Sequence, residues 1–364
     1  MAIQILISPT PALSTSLNQL LQYAAVKFCQ SVSWDTVLSE KHQTPRLLRI
    51  DTRHACPLTY RSFLGLTLAQ SVDETPRRIA EAIEQGVTAM ASSRLTACSD
   101  DLKQHHLEQH QDIPEETSFQ ASLELLLPHI SLAQGDDTQG RQWINIHIAA
   151  AGVAQWLDRV ASTHPSKRPL PETLSDAADV GCPDVGRPDV GRPDDSSLSF
   201  SILHAHARCC TILRLAQSYG LIDQWASRED PPRLLSGDSG GGADQTATNI
   251  PWLKGDRLWL LDQARQGLLL SLVRSLDRAS DIELAYRLGI RGAGDLHKAY
   301  TQGAGDVSRA FGIFHGVSRP LVRAAPAPVD QDISIGADLG IVWVAQRVLA
   351  RFLWGLGITP PTRL

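Results

Sequence analysis

The sequence predicts a mixed fold: a small α+β domain at the N-terminus followed by an all-α helical bundle. Three observations carry this. Trp143-Ile144-Asn145-Ile146-His147-Ile148 alternates with period two, as a half-buried strand does. In the last third of the chain, apolar residues instead recur three and four apart, as on helices. Between these regions lies a pentapeptide repeat: Gly181-Cys182-Pro183-Asp184-Val185, Gly186-Arg187-Pro188-Asp189-Val190 and Gly191-Arg192-Pro193-Asp194-Asp195. Proline at every fifth residue blocks both helix and sheet. The expected organisation is an α+β domain over 1–162, a disordered linker over 163–198 and a helical bundle over 199–364. A flexible insertion at 229–249 contains Pro231-Pro232 and Ser236-Gly237-Asp238-Ser239-Gly240-Gly241-Gly242.

The elements follow in order. Residues 14–30 have helical period, and 46–50 read as a short strand. Thr75 followed by Pro76 makes an N-cap and first-turn pair ahead of Arg77-Arg78-Ile79-Ala80-Glu81-Ala82-Ile83-Glu84. The polar stretch 92–140 shows one helix-like patch at 119–130. The strand at 143–148 leads into a helix over 151–161. A helix opens at Ile202-Leu203, where Ala205, Ala207, Ile212 and Leu213 continue the apolar stripe and His204, Arg208 and Thr211 share a polar face. After the insertion, helices are expected over 258–277, 282–288, 306–315 and 337–355.

Composition bounds the function. A chain of 364 residues has room for two or three domains, and 43% hydrophobic with 20% charged residues is ordinary for a globular protein. The net charge of −5 weighs against a dedicated nucleic-acid binder. It is uneven, however: residues 199–364 sum to roughly +3 and the rest to roughly −8. Most of the cations are Arg, whose planar fork suits phosphates and bases. The six cysteines (Cys29, Cys56, Cys98, Cys182, Cys209, Cys210) show no CxxC spacing. Of the adjacent pair Cys209-Cys210, one is expected to pack inward. Met1-Ala2-Ile3-Gln4 lacks a basic leader region, and no run approaches eighteen apolar residues. A cytoplasmic protein with free thiols and no membrane span is expected.

Catalytic constellations are not evident in the sequence. His106 and His110 stand at i, i+4 beside His105, but no HExxH accompanies them, and Lys103, Glu108 and Gln109 suggest a solvated face. Asp184, Asp189 and Asp194 lie in the repeat, where no preorganised acid–base pair is expected. Asp238-Ser239-Gly240 reads as a turn. There is no P-loop and no GxGxxG. No metal, cofactor or small-molecule substrate is expected.

The segment Leu203-His204-Ala205-His206-Ala207-Arg208 closely resembles the Y-A-H-A-R signature that opens the anticodon-binding (DALR) helical domain of arginyl-tRNA synthetases. Ala310-Phe311-Gly312-Ile313-Phe314-His315 and the ending Gly355-Leu356-Gly357-Ile358-Thr359-Pro360-Pro361-Thr362-Arg363-Leu364 resemble later parts of that domain, in the same order. Three pieces in the N-terminal region look like the family's N-terminal additional domain. They are Tyr60-Arg61-Ser62-Phe63 with Leu68-Ala69-Gln70, the helix from Pro76, and Trp143-Ile144-Asn145-Ile146. The nucleotide-binding domain that the family places between these parts has no counterpart, and H-x-G-H occurs nowhere: His204-Ala205-His206 lacks the glycine and His315-Gly316 the second histidine. Aminoacylation by this chain is therefore not expected.

The resemblance implies a non-catalytic partner of tRNA, in particular tRNA-Arg, with Ser201, His204, Arg208, His315, Arg363 and Leu364 on the anticodon face. A weaker implication places Tyr60, Arg77 and Asn145 on tRNA in the N-terminal domain. Arg208 keeps the family's arginine, whereas His204 and His315 stand where the family has tyrosines and Leu364 where it has methionine. Histidine still stacks, but it is smaller and takes up charge. His206 is read either as a ligand contact or as a core histidine, and Arg208 either as a base contact or as the partner of an acid. Phe311 and Phe314 are expected in the core. The alternative function is a protein-interaction scaffold, or a subunit acting in trans, that reuses the fold without tight tRNA binding.

Overall fold

The computed structural model describes residues 12–14, 17, 20–21, 48–51, 58–62, 64, 75–93, 126–136, 142–163, 193–222, 250–259, 262–287, 289–317 and 329–362. These are mostly helical, with one four-stranded sheet and one two-stranded hairpin. Residue contacts divide the chain into two units, 1–155 and 156–364.

In the first unit, β1 (Leu48–Asp51), β2 (Leu58–Ser62), β3 (Ile130–Asp136) and β4 (Gln142–Ile148) form an antiparallel sheet in the order β1-β2-β4-β3. Strand period sends Leu58, Tyr60 and Ser62 of β2 and Ile144, Ile146 and Ile148 of β4 into the core. Leu58 lies opposite Ile148, and Tyr60 opposite Ile146. Helix α1 (Pro76–Ser93) covers this face with Ile79, Ala80, Ile83 and Val87, buried at helical spacing. Thr75 caps it as the sequence predicts: its Oγ1 accepts from the Arg78 N–H at 3.4 Å and its carbonyl from the Ile79 N–H at 3.2 Å. Of the helix expected over 14–30, Ser14, Leu17, Leu20 and Leu21 are described; all are helical and buried. Helix α2 (Ala150–Ser162) follows β4, and the division between units falls within it.

Strand β3 departs from the expected helix-like patch at 119–130. Residues 119–125 lie outside the described residues, Leu127–His129 form a single 3₁₀ turn, and the chain then runs as an edge strand. Pro128 cannot continue a helix, and pairing to β4 takes over. Gly135 obscures the alternation for a packing reason: a Cβ there would lie 2.4 Å from Trp143 Nε1 on the paired strand.

The second unit is built on α3 (Pro193–Ser218), the hairpin β5 (Leu253–Lys254) with β6 (Arg257–Leu258), α4 (Gln263–Arg287), α5 (Ala293–Val317) and α6 (Val329–Gly355). Helix α5 packs on α3, α4 and α6, and α6 also packs on α3. This is a helical bundle. Its core holds Trp343, Phe311, Phe314 and Phe352.

Several boundaries differ from expectation: α5 begins at Ala293 rather than 306, and α6 at Val329 rather than 337. Helix α3 starts at Pro193 rather than 199, because a first-turn residue needs no N–H; the rest of the repeat, through 192, lies outside the described residues, as does the insertion at 229–249. Helix α4 is one helix, not two, since no Gly or Pro lies between Asp277 and Ile282; Asp277 and Ser280 face inward and blur the apolar stripe. Leu258 belongs to the hairpin, whose turn uses Gly255 at φ +61°.

Polar pins fix the helices against one another. Glu283 of α4 accepts from the Tyr300 hydroxyl of α5 and from Arg351 of α6 at 3.2 Å. Burial and the Glu283 charge push the Tyr300 hydroxyl far above its ordinary range. Asp262 caps α4, accepting from the Arg265 N–H at 2.7 Å, while the Arg265 guanidinium grips Asp338 of α6 with two 2.5 Å bonds. Both Cys209 and Cys210 are buried, not one, because α3 is covered from two sides by α5 and α6. No helix among the described residues is long and apolar enough to cross a membrane.

Candidate nucleic-acid interface

Helix α3 divides its residues sharply. Ile202, Ala205, His206, Ala207, Cys209, Cys210, Ile212, Leu213 and Ala216 are buried, whereas Phe200, Ser201, His204, Arg208, Thr211 and Leu215 are exposed, as is Tyr219 just beyond the helix. At 100° per residue the exposed set fits a sector ~100° wide, and from Phe200 to Tyr219 it spans roughly 28 Å. Its ends carry aromatic rings, Phe200 at 64% and Tyr219 at 53% exposure, and its middle carries imidazole and guanidinium.

Within this stripe His204 stacks on Phe200, with ring centroids 5.9 Å apart and 27° between planes. The Arg208 Nε–H donates to His315 Nε2 at 3.2 Å, so helices 107 residues apart in sequence meet here. Accepting at Nε2 requires the neutral His315 ring with its proton on Nδ1. Burial, then the Arg208 charge, then His204 lower the His315 pKa, which favours that neutral form. No other contact among the described residues engages the terminal nitrogens of Arg208. Ser201 is exposed, and its carbonyl accepts from the Ser308 hydroxyl of α5 at 2.9 Å.

His206, two residues on and so turned to the opposite face of the helix, takes the structural alternative. Its Nδ1–H donates to the Pro361 carbonyl at 2.7 Å, and Nε2 accepts from the Gln346 amide of α6 at 2.9 Å. Burial lowers its pKa to about 4, against the opposing effect of its hydrogen bond to the Pro361 carbonyl. The tail reaches this position because Gly357, at φ +73°, closes α6 with paired bonds from Ile358 N–H to Leu353 O and from Gly357 N–H to Trp354 O. Arg214 holds the next residue, donating to the Thr362 carbonyl at 2.7 Å and bracing on Cys210 O and Thr211 Oγ1. Arg363 and Leu364 lie outside the described residues. Phe311 and Phe314 are in the core.

The N-terminal set does not converge. Tyr60 is 1% exposed and packs in the core of the sheet, so its ring offers no stacking surface. The period of β2 dictates this: Tyr60 shares the inward face with Leu58 and Ser62. Arg77 is exposed and pairs with Glu81 at 2.9 Å. Asn145 is half-buried on the opposite sheet face, where its Oδ1 accepts from Trp143 Nε1 at 2.9 Å. Arg61 stacks over the same indole at 5.1 Å.

Sequence reading missed Phe200 and Tyr219, although their spacing from His204 and Arg208, in steps of four and three through Thr211 and Leu215, was a legible signal. It also missed Arg214 and Gln346, whose partners lie 148 and 140 residues away. Among the described residues no three His, Cys, Asp or Glu side chains cluster as a metal site; His106 and His110 fall outside them. A concavity of about 800 Å³ lies between α4 and α5, lined by Gly267, Ser271, Arg274, Arg309, Ile313 and Val317. Compared with family models, curated proteins and solved structures, the chain matches none of them.

Proposed function

We propose that the chain is a non-catalytic tRNA-binding protein that grips RNA with the exposed face of α3 and the adjoining end of α5. The observation that carries this reading is the meeting of His204, Arg208 and His315 on one exposed surface beside Phe200. Unpaired bases bind by stacking on aromatic or guanidinium planes and by hydrogen bonds to their edges. Each stacked base contributes roughly 1–3 kcal/mol. The stripe offers both chemistries, and Ser201, with its backbone tied to α5, adds a hydroxyl. The resemblance of this helix, and of the segments around Phe311 and Gly357, to the anticodon-binding domain of arginyl-tRNA synthetases names tRNA-Arg as the first target to test. The lack of H-x-G-H supports the non-catalytic part.

The test is equilibrium binding of the full chain to total tRNA across a salt series, with tRNA-Arg and unrelated RNA as competitors. The expected outcome is competition by tRNA-Arg, weakening with salt as phosphate contacts are lost, and a clear drop for Arg208→Ala. Equal affinity for unrelated RNA, with no effect of Arg208→Ala, contradicts the reading. A protein-docking scaffold is the second reading, favoured by Ile313 and Val317, exposed at 58% and 63% on the α4–α5 concavity. It gains if Ile313→Asp abolishes capture of a protein partner while RNA affinity is nil.

A further inference from the structure

We infer that His204, Arg208 and His315 form a phosphate-binding site that takes up protons as it fills, so that RNA is held more tightly as the pH falls. This rests on the RNA-binding reading and adds its ligand group, the backbone phosphodiester, and its regulation.

The geometry leads here directly. A 3.2 Å bond from Arg208 Nε to His315 Nε2 brings a fixed cation against an imidazole that has to be neutral to accept it. Among the described residues no carboxylate shares the cluster. The charges that act on His315 are Arg208 and His204, both from α3; α4 and α6 add none, and the nearest acid with a described partner on its own helix, Asp306, pairs with Arg309 at 3.3 Å. Glu283 is engaged with Tyr300 and Arg351, and Asp262 and Asp338 with Arg265. Three basic groups with no counterion among the described residues make an arrangement that an external anion completes.

The neutral ring is the low-affinity state. Beside Arg208, a proton on His315 is repelled and Nε2 turns from acceptor to donor. A phosphodiester placed between the rings and the guanidinium reverses this. It neutralises the repulsion, accepts from Arg208 and from the protonated His315 ring, and so raises the affinity of that ring for its proton. His204 is held beside them by its stack on Phe200. Tyrosines at these two positions would stack on bases and stay neutral; histidines link the grip to pH in the range where imidazole titrates.

The experiment follows histidine ring signals by NMR and tRNA affinity by fluorescence anisotropy, on the full chain at pH 5.5 and 7.5 and constant ionic strength. A proton fully linked to binding changes affinity tenfold per pH unit, so at least about tenfold tighter binding at pH 5.5 is expected, with the His315 ring pKa rising when RNA is added. The double variant His204→Gln/His315→Gln, with both sites at the surface and a melting curve to confirm folding, is expected to reduce the ratio of the two affinities to less than about twofold. If the wild type binds tRNA with the same affinity at both pH values, or the double variant keeps the full ratio, the proposal is overturned while the RNA reading stands. Absence of tRNA binding at either pH overturns both. Inorganic phosphate in place of RNA serves as a third arm. Ring shifts equal to those with RNA at millimolar phosphate would move the site to free phosphate and overturn its assignment to RNA.

Discussion

His204 and His206 stand two residues apart on one helix and meet opposite fates. His206 faces inward, where it donates to Pro361, accepts from Gln346 and loses basicity to burial. His204 faces solvent, stacked on Phe200 and one turn from Arg208. A residue type alone says little about role; the 100° step of the helix assigns it. The Leu203–Arg208 motif is therefore two devices in one segment, an inward clamp on the C-terminal tail and an outward face available to a ligand. Mutations on the two sides are expected to separate stability from binding.

The inward side gives the largest effects. His206→Ala leaves the Pro361 carbonyl and the Gln346 amide without partners and opens a cavity, for an expected loss of about 3–4 kcal/mol in urea unfolding. The same residue predicts a pH dependence of similar size. The unfolded chain takes up this proton near pH 6.5 and the folded chain only near pH 4, so acid favours unfolding. Stability from this group is full above pH 6.5 and falls by about 1.4 kcal/mol per unit towards pH 4, for a total of about 3 kcal/mol. His206→Gln is expected to flatten that slope; an unchanged slope places the titration elsewhere.

Arg214→Ala comes next. Losing the bond to Thr362 should cost about 1–2 kcal/mol and raise proteolysis of the tail. Smallest of all is His204→Ala, expected within about 0.5 kcal/mol of the parent in stability, yet weaker in tRNA binding. A large stability loss at His204 would erase the distinction between the two sides.

What was legible in the sequence follows from how local each signal is. Thr75 before Pro76 announced a helix start that its Oγ1 then caps, and Trp143–Ile148 alternated because one face of β4 is buried under α1. Strand β3 was hidden because it is an edge, with Gly135 in place of a side chain where Trp143 lies across it. The hairpin has only two residues per strand, too short for a period to show. At the site, the outward positions of His204 and Arg208 were readable from spacing. The Arg208–His315 bond and the His206–Pro361 clamp join segments 107 and 155 residues apart, and no local pattern encodes such pairings. Tyr60 misled for the same reason: its place in the core depends on β2 lying between β1 and β4.

The central claim is that the outward face of α3 binds RNA, and the most direct measurement compares the tRNA affinity of Arg208→Ala with the parent, alongside an unfolding curve for each. The account predicts affinity about tenfold weaker, the equivalent of about 1.4 kcal/mol, with stability unchanged within about 0.5 kcal/mol. Equal affinities in two equally stable proteins would contradict it.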